Sequence, residues 1–299
     1  MSNLFQTGSV VRVADLKKKY KGFELSIPEM LIPKGFATAL IGENGAGKTT
    51  LINILAGIRL DYKGDVTYFD GQEKICAEIQ EKIGYVGTGS YFLPQWTAKQ
   101  VAETSKLLFE NFHEDEFWRS CDDLSIPVEA TKNVRKLSAG NCMKLKLALV
   151  LARDTEFLIL DEPASPLDPL MRDKLCDMIR GYLEEGDGRK SVFFSTHNIS
   201  DMENVTDYAI IMEHGNIVEA GFVEDLREKY ILVKGEAADA DAAGRILFSI
   251  TKGSYGFEGI CLAEDLDKLA GMDISKETPT LYQISVAVMK ANTKLKFAR

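Results

Sequence analysis

The chain has 299 residues, 45 % hydrophobic and 27 % charged, with a formal net charge of −9. That describes a globular protein with room for one large domain and a small one, and the acidic balance argues against nucleic acid as a partner. No apolar run reaches membrane-span length: the most apolar stretch, Leu145 to Leu160, is broken by Lys146, Arg153, Asp154 and Glu156.

Met1 to Gly8 is short and polar, without a signal-peptide pattern, which predicts a cytoplasmic protein. Val10 to Leu16 alternates as a strand, and Lys17-Lys18-Lys19 reads as a solvated turn. Ala37 to Ile41 suits a buried strand. It runs into Gly42-Glu43-Asn44-Gly45-Ala46-Gly47-Lys48-Thr49-Thr50, which fits the phosphate-binding pattern G-x-x-x-x-G-K-[ST]. The glycines Gly42, Gly45 and Gly47 let the backbone turn tightly and aim its N–H groups at phosphate oxygens. Lys48 can reach the β- and γ-phosphates, and the Thr49 hydroxyl can ligate Mg²⁺. Thr50 to Ala56 is a helical pattern with Leu51, Ile52 and Leu55 on one face and Gly57 at the C-cap position. Strand, loop and helix in that order set a nucleotide site apart from a chance glycine-rich turn.

Asp65 to Asp70 reads as a strand closed by the Asp70-Gly71 turn, and Ser90 to Asp154 as amphipathic helices. Within them, Ser138 of Leu137-Ser138-Ala139-Gly140-Asn141 is a candidate N-cap for a helix through Met143, Leu147, Val150 and Leu151. A helix start of this kind can bind an anion, although alone it is an ordinary capped helix. Phe157 to Leu160 is a strand buried on both faces, and Ser191 to Thr196 and Tyr208 to Met212 repeat its character around a helix at Leu170 to Glu184. The alternation predicts a parallel α/β core with a helical insertion. From about Phe222 the texture changes. Glu236 to Ala243 reads as a loop, Arg245 to Ile250 and Gly259 to Leu262 as strands, and Asp265 to Ala270 and Thr280 to Ala291 as helices, together a small α/β appendage.

Asp161-Glu162-Pro163 follows the strand at 157–160. Beside a phosphate loop, an Asp at a strand end can hold Mg²⁺, and the next Glu can orient or activate a water. The five cysteines lack C-x-x-C spacing and read as reduced, mostly structural thiols. The three histidines form no metal-binding pattern, but His197 ends a strand at the sheet's carboxyl edge. Between Tyr91 and Trp118 the aromatic residues read either as helical core or, for Tyr91, Phe92 and Trp96, as the lining of a groove.

Taken together, Gly42–Thr50, Leu137–Asn141, Leu160–Pro163, Ser165–Asp168 and His197 resemble the Walker A loop, signature, Walker B, D-loop and switch histidine of ABC transporter ATP-binding subunits. The resemblance covers roughly residues 9–225 and implies a P-loop NTPase fold of ABC type. That fold has a RecA-like parallel sheet, an antiparallel β subdomain and a helical subdomain at about 88–154, here with an accessory domain over 226–299. It further implies an ATPase using ATP and Mg²⁺, with a second nucleotide-binding domain and a membrane permease as partners. Two domains, alike or different, would then face head to tail. Ser138 and Gly140 would cap the partner's ATP, while Tyr20 would stack on adenine. Asn44, Gly45, Ala46, Gly47, Lys48, Thr49 and Thr50 would hold the phosphates, and Glu162, His197 and Lys48 would serve hydrolysis. Thr49, Asp161 and Thr88 would face Mg²⁺.

Thr88 stands where the family has a glutamine. Gln95 is nearby, but Thr97 aligns with the family's following segment. Ala139, Asn141 and Pro166 also depart from the usual motifs. Leu226–Tyr230 and Pro279–Tyr282 resemble ABC-2-type exporter ATPases more weakly, tilting the expectation to export. A soluble ABC factor without a permease and a regulator with weak hydrolysis stand as alternatives.

Overall fold

The computed structural model describes residues 8–70, 74–89, 91–127 and 133–297. The polar start before Gly8, Gly71 of the Asp70-Gly71 turn and Ser90 at the head of the helical stretch lie outside these. β1 (Ser9–Tyr20) and β2 (Phe23–Pro33) form a hairpin, followed by β3 (Ala37–Ile41), α1 (Lys48–Leu55) and β4 (Lys63–Tyr68). β4 pairs with the other edge of β1, giving a three-stranded antiparallel sheet in the order β2-β1-β4. Lys17, Lys18 and Lys19 therefore belong to a strand, not to a turn. Their long stems can run along the sheet while the ammonium groups stay near water, and Lys18 Nζ reaches the Asp61 carboxylate at 2.6 Å.

The chain continues through α2 (Ala77–Glu81), β5 (Ile83–Val86), α3 (Ala98–Leu108), α4 (Glu114–Asp123), α5 (Ala139–Leu151) and β6 (Phe157–Leu160). It then forms α6 (Pro169–Glu185), β7 (Ser191–Thr196), β8 (Tyr208–Glu213) and β9 (Asn216–Phe222). A six-stranded sheet runs in the order β5-β6-β7-β3-β8-β9, parallel except for β9, which returns antiparallel to β8. Every residue of β3, β6, β7 and β8 is buried, as expected of strands covered on both faces. α3, α4 and α5 form the expected helical insertion. Thr97 and Gln100 close a capping box on α3, Ser138 Oγ accepts the Asn141 N–H at 3.2 Å to cap α5, and Asp168 with Pro169 opens α6.

The remainder forms α7 (Val223–Lys229), β10 (Tyr230–Glu236), α8 (Ala240–Ala243), β11 (Ser249–Lys252), β12 (Gly256–Leu262), β13 (Ile274–Glu277) and α9 (Leu281–Phe297). Its four strands make an antiparallel sheet ordered β11-β12-β10-β13. Three readings need correction. Glu236 to Ala243 is not a loop but a strand end, a 3₁₀ turn and α8, because Ala240 and Ala243 are small enough to pack into the core of Val233, Leu247, Phe257 and Cys261. The strand expected at 245–250 begins only at Ser249, after Leu247 has turned into that core. The helix expected at 265–270 is a 3₁₀ segment, Ala263–Leu269. α9 leaves this small sheet and buries Leu281, Ile284, Ala287 and Val288 in the large core of the six-stranded sheet. Its start is fixed by Glu203, whose Oε1 accepts both the Leu281 N–H at 2.8 Å and Arg227 Nη2 at 2.9 Å.

Candidate functional site

The carboxyl ends of β3, β6 and β7 converge on one edge of the sheet. The loop after β3 crosses this edge with little room for side chains: a Cβ on Gly42 would stand 2.5 Å from Met212 O. Gly47 caps α1 at φ 109°, a left-handed value that disfavours a side chain, and a Cβ there would meet the Phe23 ring at 2.8 Å. α1 begins at Lys48 rather than Thr50, so Thr49 and Thr50 sit in a first turn whose N–H groups have no intrahelical acceptor. Lys48 is buried and donates to Gly42 O at 2.7 Å and Glu43 O at 3.3 Å.

Across the loop, Glu162 is shared by two cationic or proton-bearing partners. Its Oε1 lies 3.3 Å from Lys48 Nζ, and its Oε2 lies 2.7 Å from His197 Nδ1. Its backbone is left-handed at φ 51°, a conformation that costs a non-glycine residue roughly 1–2 kcal/mol. The Glu162 N–H is held by Ser195 Oγ at 2.9 Å. The neighbouring Asp161 is fully buried and takes one hydrogen bond from Ser195 Oγ at 2.6 Å and one from Thr49 Oγ1 at 3.0 Å.

These groups border a cavity of about 720 Å³, within the range of small-molecule sites. Asn44, Gly45, Gly47, Lys48, Thr49 and Thr50 line one side; Glu162, His197 and Thr88 line others. Gly42 and Ala46 of the loop and Asp161 behind it are buried and lie outside the lining. Tyr20 is also outside it. Its ring centroid stands 6.2 Å from that of Phe23, the aromatic that does line the cavity. Ser138 and Gly140 do not line it either, whereas Ala139, Cys142 and Met143 do.

The donor set fits a hard divalent cation. Asp161 is a buried carboxylate whose side-chain hydrogen bonds, among the described residues, come from the hydroxyls of Ser195 and Thr49, which supply no balancing charge. Oxygen ligands from Asp161 and Thr49 are of the type Mg²⁺ accepts. A concave loop with a buried lysine, a helix start and exposed N–H groups fits a polyphosphate.

Thr88 is exposed between Gly87 and Gly89, whose carbonyls both accept from Lys146 Nζ of α5, at 2.9 and 2.5 Å. The Tyr91 hydroxyl accepts the Gly87 N–H, and burial raises the Tyr91 phenol well above its ordinary pKa. Burial also lowers the Lys146 ammonium. Behind this loop lies a second cavity of about 500 Å³, walled by Tyr91, Phe92, Trp96, Val101, Phe109 and Lys146 among others. The aromatic stretch thus has two uses: Phe117 is core, Tyr91 and Trp96 line this groove, and Phe92 serves both.

Phe23, Ser195 and Lys146 were not predicted as site residues. Ser195 left a faint signal as a hydroxyl that, with Thr196, follows the apolar run Val192, Phe193 and Phe194. Lys146 left another, as a charge inside an apolar helical run.

The family model for ABC transporters matches residues 25–165. An ABC transporter ATP-binding protein of Nostoc sp. is 29 % identical over 274 residues, covering 87 % of this chain and 81 % of the relative. TupC, the ATP-binding protein of a tungstate uptake system in Peptoclostridium acidaminophilum, is 30 % identical over 213 residues, covering 70 % and 97 %. Among solved structures, the dimeric post-hydrolysis state of the ATP-binding cassette MJ0796 with ADP and Pi has a similar fold. Its TM-score is 0.60 at 19 % identity, over 71 % of this chain and 98 % of that one.

Proposed function

We propose, for a chain that belongs to the ABC transporter ATP-binding family and is an ATPase, that it hydrolyses ATP within a dimer and powers a separate membrane permease. The observation that carries the reading is the shared carboxylate of Glu162, placed between Lys48 and His197 at the mouth of the phosphate loop. In this reading the loop amides and Lys48 stabilise charge on the transferred phosphoryl group, and Glu162 takes the proton of the attacking water. His197 orients Glu162 and faces the γ-phosphate. Asp161, Thr49 and Thr88 would hold Mg²⁺, which would supply positive charge to offset that of the phosphate oxygens.

Ser138 and Gly140 lie outside the chain's own cavity, which supports their serving the ATP of a second copy or of a related domain. Tyr20 extends the aromatic surface of Phe23 towards adenine. The groove of Tyr91, Phe92 and Trp96 is the surface we assign to the permease. No helix among the described residues is long and apolar enough to cross a membrane, so membrane attachment would come through that partner at the cytoplasmic face. The functional division is an ATPase domain over 1–225 and an accessory domain over 226–299. The C-terminal resemblance favours export, while TupC is named for uptake, and direction would follow the permease.

A steady-state ATPase assay with Glu162→Gln tests the chemistry. We expect kcat to fall by about 10²–10⁴, as for loss of a general base, and ATP-bound dimers to persist on size exclusion. Rapid turnover by this variant would remove Glu162 from the role. Weak hydrolysis by the unaltered protein would favour a regulator. Recovery from solubilised membranes without a co-purifying multi-span protein would favour a soluble factor.

A further inference from the structure

Lys146 is an unusual residue for its place. It lies in the middle of α5 among buried Met143, Leu145, Leu147, Ala148 and Val150, and is itself only 7 % exposed. A buried ammonium is strongly unfavourable unless its donors are used and its charge is met by polar groups. Among the described residues it meets no carboxylate in a salt bridge. It spends its donors on Gly87 O and Gly89 O and stands 4.7 Å from the centre of the Tyr91 ring. Gly87 is thereby held twice, through its carbonyl by Lys146 and through its N–H by the Tyr91 hydroxyl. The two carbonyls that Lys146 holds bracket Thr88. Lys146 also borders both the 720 Å³ cavity and the 500 Å³ groove behind it.

We infer that Lys146 is a positioning residue that fixes Thr88 at the wall of the nucleotide cavity and makes the loop after β5 move with α5. A threonine is too short to anchor itself on both the site and its surroundings, so its backbone must be held from elsewhere. A lysine from the helix that Ser138 caps does this. A displacement of α5 is then passed to Thr88 through two carbonyls rather than through a long side chain. The inference rests on the reading that this cavity hydrolyses ATP.

The test is Lys146→Met, which keeps length and packing but removes the donors, in the full chain with MgATP. We expect KM for ATP within about threefold of the unaltered protein, because the hydrogen bonds of Lys146 go to Gly87 and Gly89 rather than to the phosphate loop, and kcat at least tenfold lower. Amide exchange of the peptide carrying Gly87–Gly89 should quicken at least tenfold, while α1 and β3 keep their protection. The same kcat in both proteins overturns the inference. So does a lower kcat without faster exchange at 87–89, or with exchange quickened equally everywhere. Tyr91→Phe leaves the ring beneath the ammonium and removes only the hydroxyl that accepts from Gly87. It should show the same local signature to a smaller degree, and it decides the matter if Lys146→Met does not fold. If the unaltered protein hydrolyses no ATP, the functional reading fails, while the exchange measurement still decides the role of Lys146.

Discussion

Ser195 Oγ stands 2.6 Å from Asp161 Oδ1 and donates to it, while the same oxygen accepts the Glu162 N–H at 2.9 Å. One buried hydroxyl therefore fixes the side chain of one acidic residue and the backbone of the next. Ser195→Ala leaves a carboxylate oxygen and an N–H short of a partner in a buried setting. The expected loss is about 1–3 kcal/mol in stability. The left-handed backbone of Glu162 loses its anchor, and kcat should fall about tenfold. Urea unfolding and steady-state turnover measure the two effects; wild-type values in both would refute the role given to Ser195.

Thr49 Oγ1 and Asp161 Oδ2 are 3.0 Å apart and form the oxygen pair best placed for Mg²⁺. Thr49→Val keeps the shape of the side chain and removes one ligand. The Mg²⁺ concentration for half-maximal hydrolysis should rise about tenfold, since one hydrogen-bonding or ligand group of this kind changes binding by about 1–2 kcal/mol. Chelation with EDTA should stop turnover in the unaltered protein. An identical Mg²⁺ titration for the two proteins would exclude Thr49 as a ligand.

Thr38, the second residue of β3, has a buried hydroxyl with no hydrogen-bond partner among the described residues. Replacing it with valine removes an unmet polar group at nearly constant volume. Thr38→Val should gain about 1 kcal/mol in stability with turnover unchanged. A lower melting temperature would show that the hydroxyl has a use.

The cysteines should divide by burial. All five are free thiols; Cys76 is exposed, whereas burial pushes Cys121 up to about 12 and Cys176 up to about 11. At pH 8 the thiolate fraction at Cys121 is on the order of 10⁻⁴, so iodoacetamide should label Cys76 first and reach Cys121 and Cys176 only on unfolding. The sign of the linkage follows. The unfolded thiol titrates near 8.5, so the stability due to these neutral thiols is complete below about pH 8.5 and declines as pH rises towards the folded values. Mass spectrometry of alkylated peptides, native and denatured, checks the order; equal labelling of Cys76 and Cys121 in the native protein would contradict it.

The buried strands of the parallel sheet were legible because both of their faces are covered, which turns them into unbroken apolar words such as Phe157-Leu158-Ile159-Leu160. β2 was not, since Pro28 and the alternation of Glu24 and Glu29 with apolar residues blur its pattern. β5 is only four residues and contains Gly84, which a single sequence cannot separate from a turn. Lys48, Asp161, Glu162 and His197 could be read because each sits at a fixed step from a glycine turn or a strand end. Ser195 and Lys146 could not, because their partners lie 34 and 57–59 residues away and only the fold brings them together. Phe23 was passed over for Tyr20, three residues earlier, because the tight hairpin between them decides which ring turns towards the cavity.

The burial of α9 in the larger core bears on inheritance. Its apolar face of Leu281, Ile284, Ala287 and Val288 sits against the β8–β9 region and the segment after His197, while Glu203 caps its start. A recombination event, natural or engineered, that exchanged everything after residue 225 would transplant half of a hydrophobic seam and strand the other half. Compatible donors must carry a matching helix, so the C-terminal region can be replaced as a cassette only together with the surface beneath it.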